Sequence, residues 1–331
     1  MTIEPRMLRH AIRIAIATVG VCLLAVGAEA QDAFPTKPIQ LVIPFAPGGA
    51  SDITSRALAR AAEKGLGQPI AVINKPAGGG AAAMQEVARA QPDGYTLINF
   101  TAILAAIAPH MREVPYDAVK EFTPIMLFGA FNTFVAVRAD APYKTLAELL
   151  DYAKQNPRVL TTGISVIGAS SHLGMARLAN ESGAQVTFVP FGGGAPAITA
   201  LLGRHVSSAV TSGEVLPHVQ SGDVRLLATL MGQRVPELPT VPTVRELGFN
   251  WDLNSWLGIA GPPGMPAVVA RKLEQALLAA MDDAAFKKSM TDLAVATLRA
   301  DAAGARQQLE ADVKTFGDIL RALKMGRYAT N

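Results

Sequence analysis

The sequence predicts an α/β protein of two lobes joined by a hinge, and three observations predict it. A short apolar strand, a glycine turn and an amphipathic helix follow one another repeatedly through the first hundred residues. A second series of this kind starts near Phe131 and closes in proline-rich sequence at Pro236, Pro239 and Pro242. The chain then returns through residues 256–281 into sequence that belongs with the first series, so two segments cross between the lobes. With 331 residues, 50% of them hydrophobic, each lobe can bury a core of its own.

Residues 1–30 stand apart from this pattern. Arg6, Arg9 and Arg13 precede an apolar run over 14–27, which ends in Ala28-Glu29-Ala30. Basic flank, short apolar run and small-x-small end read as a secretory signal peptide cleaved after Ala30. The run is too short for a stable membrane span. Cys22, the one cysteine, lies inside it, so the mature chain has no thiol for a disulfide, a nucleophile or a metal.

The first lobe is expected over residues 31–129 plus 251–331. Residues 39–45 form its first strand, and Ala46-Pro47-Gly48-Gly49 turns into a helix over 51–64, stopped by Gly65 and Gly67. Residues 70–73 form the second strand, Gly78-Gly79-Gly80 the second turn, and residues 95–98 the third strand, a pattern that implies a parallel sheet. The second lobe is expected over residues 130–250. Thr145 and Glu148 supply a capping box, and strands follow near 158–162, 186–190 and 224–229. Residues 302–323 read as a last helix packed on the outside.

Charge and motifs narrow the function. Loss of the leader removes three basic and two acidic residues, which takes the formal charge from +3 to about +2. No Lys/Arg cluster alternates with aromatics, so nucleic-acid binding lacks its electrostatic footprint. The glycine turns complete neither a dinucleotide fingerprint nor a GxxxxGK[ST] loop, and neither GxSxG nor HExxH is present. His110, His205 and His218 show no ligand spacing, so no metal and no cofactor are assigned.

What the turns offer is backbone N–H groups at helix N-termini, where the helix dipole also favours an anion. Residues 46–52 and Gly168-Ala169-Ser170-Ser171 are the two candidate anion loops, unless they are simply tight strand-to-helix connections. Asp52 would repel an anion and is therefore read as a cap of its own helix. His172 can donate to a carboxylate or can be a packed helix residue.

The residues also carry a resemblance. Phe34-Pro35-Thr36-Lys37-Pro38-Ile39, Pro44-Phe45-Ala46-Pro47-Gly48-Gly49-Ala50-Ser51-Asp52, Asn74-Lys75-Pro76, Pro92-Asp93-Gly94-Tyr95 and Pro115-Tyr116-Asp117 fall in a characteristic order. Residues 168–173, Val189-Pro190-Phe191, Gly193-Gly194-Ala195-Pro196 and Leu238-Pro239-Thr240-Val241-Pro242 continue it. Together they resemble the substrate receptors of tripartite tricarboxylate transporters, the Bug (Bordetella uptake gene) proteins. The resemblance implies a two-lobed periplasmic binding protein-like fold of type II, with the ligand cleft between the lobes and no catalysis. It implies a monomer in the periplasm that takes a small organic carboxylate, mono- or dibasic, to the membrane permease subunits of such a transporter.

Carried over residue by residue, the resemblance places Phe45, Ala46, Gly48, Gly49, Ser51, Asp52, Thr101 and Ala102 at the ligand from the first lobe. From the second lobe it places Gly168, Ala169, Ser170, His172, Phe191, Gly192, Thr211 and Ser212. Two departures stand out: Gly192 replaces a lysine common in the family, and the segment 211–213 lacks an acid that many relatives carry. A sensor that feeds a signalling partner is the alternative role. A hydrolase on a similar fold is disfavoured because no nucleophile–base pair is evident.

Overall fold

The computed structural model describes residues 34–329 except Ala46, Asp252 and Asn254. The expected leader, Cys22 and the cleavage point after Ala30 lie outside the described residues.

The chain builds its first sheet from β1 (Ile39–Ile43), β2 (Ile70–Asn74), β3 (Thr96–Thr101) and β4 (Thr123–Phe131), with helices α1 (Ala50–Leu66), α2 (Ala81–Ala88) and α3 (Ala108–Met111) between them. A second sheet follows: β5 (Phe134–Arg138), α4 (Leu146–Gln155), β6 (Leu160–Ile164), α5 (Ser170–Ser182), β7 (Val186–Pro190), α6 (Gly194–Leu202), β8 (Ser208–Thr211), α7 (Leu216–Gln220) and β9 (Val224–Thr229). The return passage adds β10 (Ser255–Gly261), α8 (Ala267–Ala280), α9 (Ala284–Asp292), β11 (Val295–Ala300) and α10 (Ala302–Ala322). Strand order is β11-β4-β10-β3-β1-β2 in the first sheet and β7-β6-β8-β5-β9 in the second.

Parallel pairing holds only for β1 with β2 and β3; β10, β4 and β11 join antiparallel, so the first sheet is mixed. The expectation of a parallel sheet came from three strand–helix repeats and could not see strands that arrive from the far end of the chain. β1 still carries the signature of a strand covered on both faces, since Ile39, Leu41, Val42 and Ile43 are all buried. Gly67, at φ 68°, ends α1 as its left-handed cap, whereas Gly65 lies inside the helix.

Register shows how the two sheets face each other. β4 ends at Phe131 beside Ser255, and Leu257 lies beside Thr101 at the end of β3, so these strand ends and the loop after β1 share one edge. In the second sheet Phe134 lies beside Thr211, and β6 runs parallel to β8, so the ends of β6 and β8 share an edge with the start of β5. Only the buried Asn132 and Thr133 separate β4 from β5. The two edges therefore meet at the hinge, and α1 and α5 both point their N-termini toward it.

The last helix does not lie outside, as its pattern suggested. Ala305 and Leu309 enter the first-lobe core with Phe100 and Trp256, while Phe316, Ile319 and Leu320 enter a core with Leu173, Leu178, Leu230 and Trp251 of the second lobe. α10 thus straddles the hinge. The Trp256 indole N–H donates to Asp312 on the same helix at 2.7 Å. His110 fixes the helix from the other side: Nε2 is 2.8 Å from the Val313 carbonyl and Nδ1 2.9 Å from the Tyr328 hydroxyl.

Candidate functional site

The loops after β1 and β6 are copies of one backbone design. Gly48 and Gly168 each sit at φ 84°, a conformation that glycine adopts without the clash a Cβ would bring. The next residue is extended in both, Gly49 at φ −78°, ψ 166° and Ala169 at φ −68°, ψ 161°, and a helix begins at once. In both loops the glycine N–H then donates to the side chain four residues on. Gly48 donates to Asp52 Oδ2 at 2.9 Å, and Gly168 to His172 Nδ1 at 3.1 Å. Ala50 and Ser51, like Ser170 and Ser171, start helices whose first amides have no intrahelical acceptor. Among the described residues these N–H groups have no hydrogen-bond acceptor, and both helix starts lie at the hinge edges of their sheets.

The closing side chains differ in charge. Asp52 is buried, and burial alone would raise its carboxyl. The Gly48 N–H, the Asn74 amide and the Arg56 guanidinium outweigh that and hold it below the usual carboxylate range. Arg56 Nε reaches Asp52 Oδ1 at 2.9 Å, and Asn74 Nδ2 reaches it at 2.9 Å while also donating to the Phe45 carbonyl at 3.0 Å. Asp52 therefore ties its loop to β2. It caps through Gly48, ahead of the helix, rather than as a conventional first residue.

His172 works without charge. Burial pushes its imidazole down to about 4, and its ring meets Phe188 edge-on at 4.5 Å. With Nδ1 accepting from Gly168, the neutral ring carries its proton on Nε2. Its first role in this structure is to shape the loop. Ser165 Oγ and Ser171 Oγ, 3.1 Å apart, brace the same turn.

The loops also differ in cover. Gly48 and Gly49 are exposed, and a Cβ on Gly48 would meet nothing within 4 Å. Gly168 is buried, and a Cβ there would lie 2.8 Å from Met111 Cε of the first lobe. A second contact between the lobes falls at Gly213, where a Cβ would strike the Leu293 carbonyl.

Thr101 and Ala102 lie at the end of β3, on the edge of the first sheet that also carries the loop after β1. Thr101 ends β3, is 3% exposed, and its hydroxyl has no hydrogen-bond partner. Ala102, fully buried, opens a π-helical stretch over Ile103–Ile107, a distortion that frequently marks functional sites. Two of the expected second-lobe contacts are otherwise engaged. The Phe191 and Gly192 amides donate to the Ile164 and Ser165 carbonyls, and the Phe191 ring turns back onto the sheet, 3.3 Å from where Gly163 would carry a Cβ. Ser51 and Ser170 are buried at their helix starts, and Ala46 lies outside the described residues.

The segment 211–213 itself carries no acid, but Glu214 follows it directly. Its Oε1 accepts from the Thr211 hydroxyl at 2.6 Å and from the Ser212 N–H at 3.2 Å, so both expected ligand donors already serve a carboxylate. The acid is displaced along the chain, and the short 3₁₀ turn Gly213–Val215 brings it back.

A cavity of about 700 Å³ lies away from these loops. Its walls are Asn132, residues 231–237 and residues 294–298, on the β11 side of the crossing strands. No expected ligand residue lines it. Geometry and chemistry, rather than cavity size, identify the amide loops as the candidate site.

Residues 54–325 match the profile described as tripartite tricarboxylate transporter family receptor. The UPF0065 protein in the gbd 5′ region of Cupriavidus necator is 38% identical over 278 residues, 84% of this chain and 85% of that protein. Among solved structures, Rpa4515 of R. palustris with adipate superposes with a TM-score of 0.77 at 25% identity, covering 88% of this chain and 99% of that one. MatC of Rhodopseudomonas palustris with bound malate gives 0.74 at 29% identity, covering 87% and 100%.

Proposed function

The chain belongs to the tripartite tricarboxylate transporter receptor family, and we propose that it captures one small organic carboxylate between the loops 46–52 and 168–172. As a member it is a periplasmic solute-binding receptor, not an enzyme, and works with membrane permease components. The observation that carries the carboxylate reading is the duplicated loop: two glycine turns of one geometry, one on each lobe, present unpaired helix N-terminal amides toward a shared hinge. Such amides and the helix dipole favour an anion over a neutral solute. Relatives of the same fold hold malate and adipate, both carboxylates.

Capture proceeds by closure. The exposed first loop receives the carboxylate, and rotation where the chain crosses between β4 and β5 and returns into β10 brings the second loop onto it. Micromolar affinity requires about −8 kcal/mol. Hydrogen bonds to a charged group contribute about 1.5–3 kcal/mol each, so four or more suffice after closure and ordering costs. The amides of Ala50, Ser51, Ser170 and Ser171 provide four, and the Thr101 hydroxyl a fifth. The receptor works in the periplasm after cleavage behind Ala30, as a monomer, and its closed form is what the permease subunits engage.

The test is a thermal-shift screen of the protein purified from the periplasm against monocarboxylates, dicarboxylates, amino acids and neutral sugars. Acids should raise the melting temperature in proportion to the logarithm of their concentration, because they bind only the native state. A response to sugars with none to acids would sink the reading.

A further inference from the structure

We infer that Glu214 makes this receptor select against a second carboxylate, so that its ligand is a monocarboxylate. The inference rests on the carboxylate reading above and concerns the end of the ligand that the amide loops do not hold.

Glu214 stands at the edge of the second sheet that faces the hinge. β6 runs parallel to β8 with Gly163 level with Ala209, so β6 ends at Ile164 and β8 at Thr211 on the same edge of the sheet. Ser165 braces Ser171 in the first turn of α5. Glu214, held at Thr211, thus shares this sheet edge with the strand end that leads into α5.

Its carboxylate is held firmly in place. Thr211 and Ser212 both donate to Oε1, and Gly194, the first residue of α6, leaves room for that oxygen where a Cβ would collide with it. The carboxylate therefore covers the start of α6 and engages donors that a ligand's distal carboxylate would otherwise find. No Lys or Arg among the described residues forms an ion pair with Glu214, in contrast to Asp52, which Arg56 neutralises. The Thr211 and Ser212 donors and the start of α6 offset part of this charge, but no described Lys or Arg pairs with it, so a second carboxylate nearby meets a repulsion that a neutral tail does not.

The apolar rim agrees. Val166 and Ile167, directly ahead of Gly168, are 41% and 51% exposed, two of the few large hydrophobics so placed. An uncharged tail can pack on them, whereas a charged one cannot be desolvated there without cost.

The experiment is isothermal titration of the periplasm-purified protein and its Glu214→Gln variant with two matched pairs, butyrate with succinate and hexanoate with adipate. The wild type should bind each monoacid at least tenfold more tightly than the diacid of equal chain length. E214Q, which keeps shape but removes charge, should narrow each ratio to about threefold or less. Equal affinity for mono- and diacid in the wild type would overturn the inference, and that comparison stands even if the variant does not fold. An unchanged ratio in a folded E214Q would overturn it as well. Failure of all four acids to bind either protein would instead overturn the carboxylate reading and, with it, this one.

Discussion

The two candidate loops share a backbone and differ in what closes them. In the first lobe a buried carboxylate, braced by Arg56 and Asn74, holds Gly48 in an exposed turn. In the second, a neutral imidazole holds Gly168 beneath Met111 of the opposite lobe. The same hydrogen bond, glycine N–H to the side chain four residues on, is made once with charge and once without. The difference teaches that loop geometry and site electrostatics are set separately: the glycine and the helix start fix the amides, and the closing residue chooses the charge.

Acid should separate the loops most clearly. The folded pKa of His172 is about 4 against an unfolded 6.5, so between these values only the unfolded chain takes the proton. The stability it contributes is complete above pH 6.5 and is lost as pH falls toward 4, by about 3 kcal/mol in all. Asp52, with its carboxyl lowered, keeps its contribution through that window and loses it only as pH falls below about 3.8. Urea denaturation from pH 7 to 4 should show the fall in the wild type and a flatter curve in His172→Gln. Equal slopes in the two proteins would erase the distinction.

Removing the charged brace comes next. Asp52→Ala leaves Arg56, Asn74 and Gly48 without their shared acceptor and should cost about 2 kcal/mol, read from the urea midpoint. A loss under 0.5 kcal/mol would mean that the first loop holds its shape unaided.

Cover can be tested at the two glycines. Both Gly48→Ala and Gly168→Ala put a Cβ at φ 84°, a strain of about 1–2 kcal/mol, but only the second also strikes Met111. Ligand affinity should fall about tenfold more in G168A than in G48A by titration calorimetry, since the second loop closes against the first lobe. Equal losses would show that closure does not pass through this contact.

Thr101→Val should have the smallest effect on the unliganded protein. Exchanging a buried hydroxyl that has no partner for a methyl group should stabilise it by about 1 kcal/mol while weakening ligand binding. Stabilisation with undiminished affinity would remove Thr101 from the site.

Much of this was legible beforehand because its causes are local. The strand at 39–43 shows its burial in an unbroken apolar run, and Gly48 and Gly168 mark turns that few other residues can make. The duplicated anion loops were visible as glycine, small residue and Ser before a helical stretch. The resemblance added Thr101 and Thr211, which no periodicity singles out. Nothing in the sequence singles out Glu214, one residue beyond the segment 211–213, because only the turn at Gly213–Val215 returns its carboxylate to Thr211.

By itself the sequence determined two lobes, two crossings and two amide-bearing turns, since hydrophobic period and backbone freedom are properties of neighbours along the chain. Tertiary structure alone decided which side chains brace each loop, that α10 bridges both cores, and that the Glu214 carboxylate returns to Thr211 and Ser212. Those outcomes depend on meetings between distant residues, Asn74 with Asp52, Met111 with Gly168, Gly194 with Glu214. Packing, not local propensity, brings such partners within hydrogen-bond or contact distance.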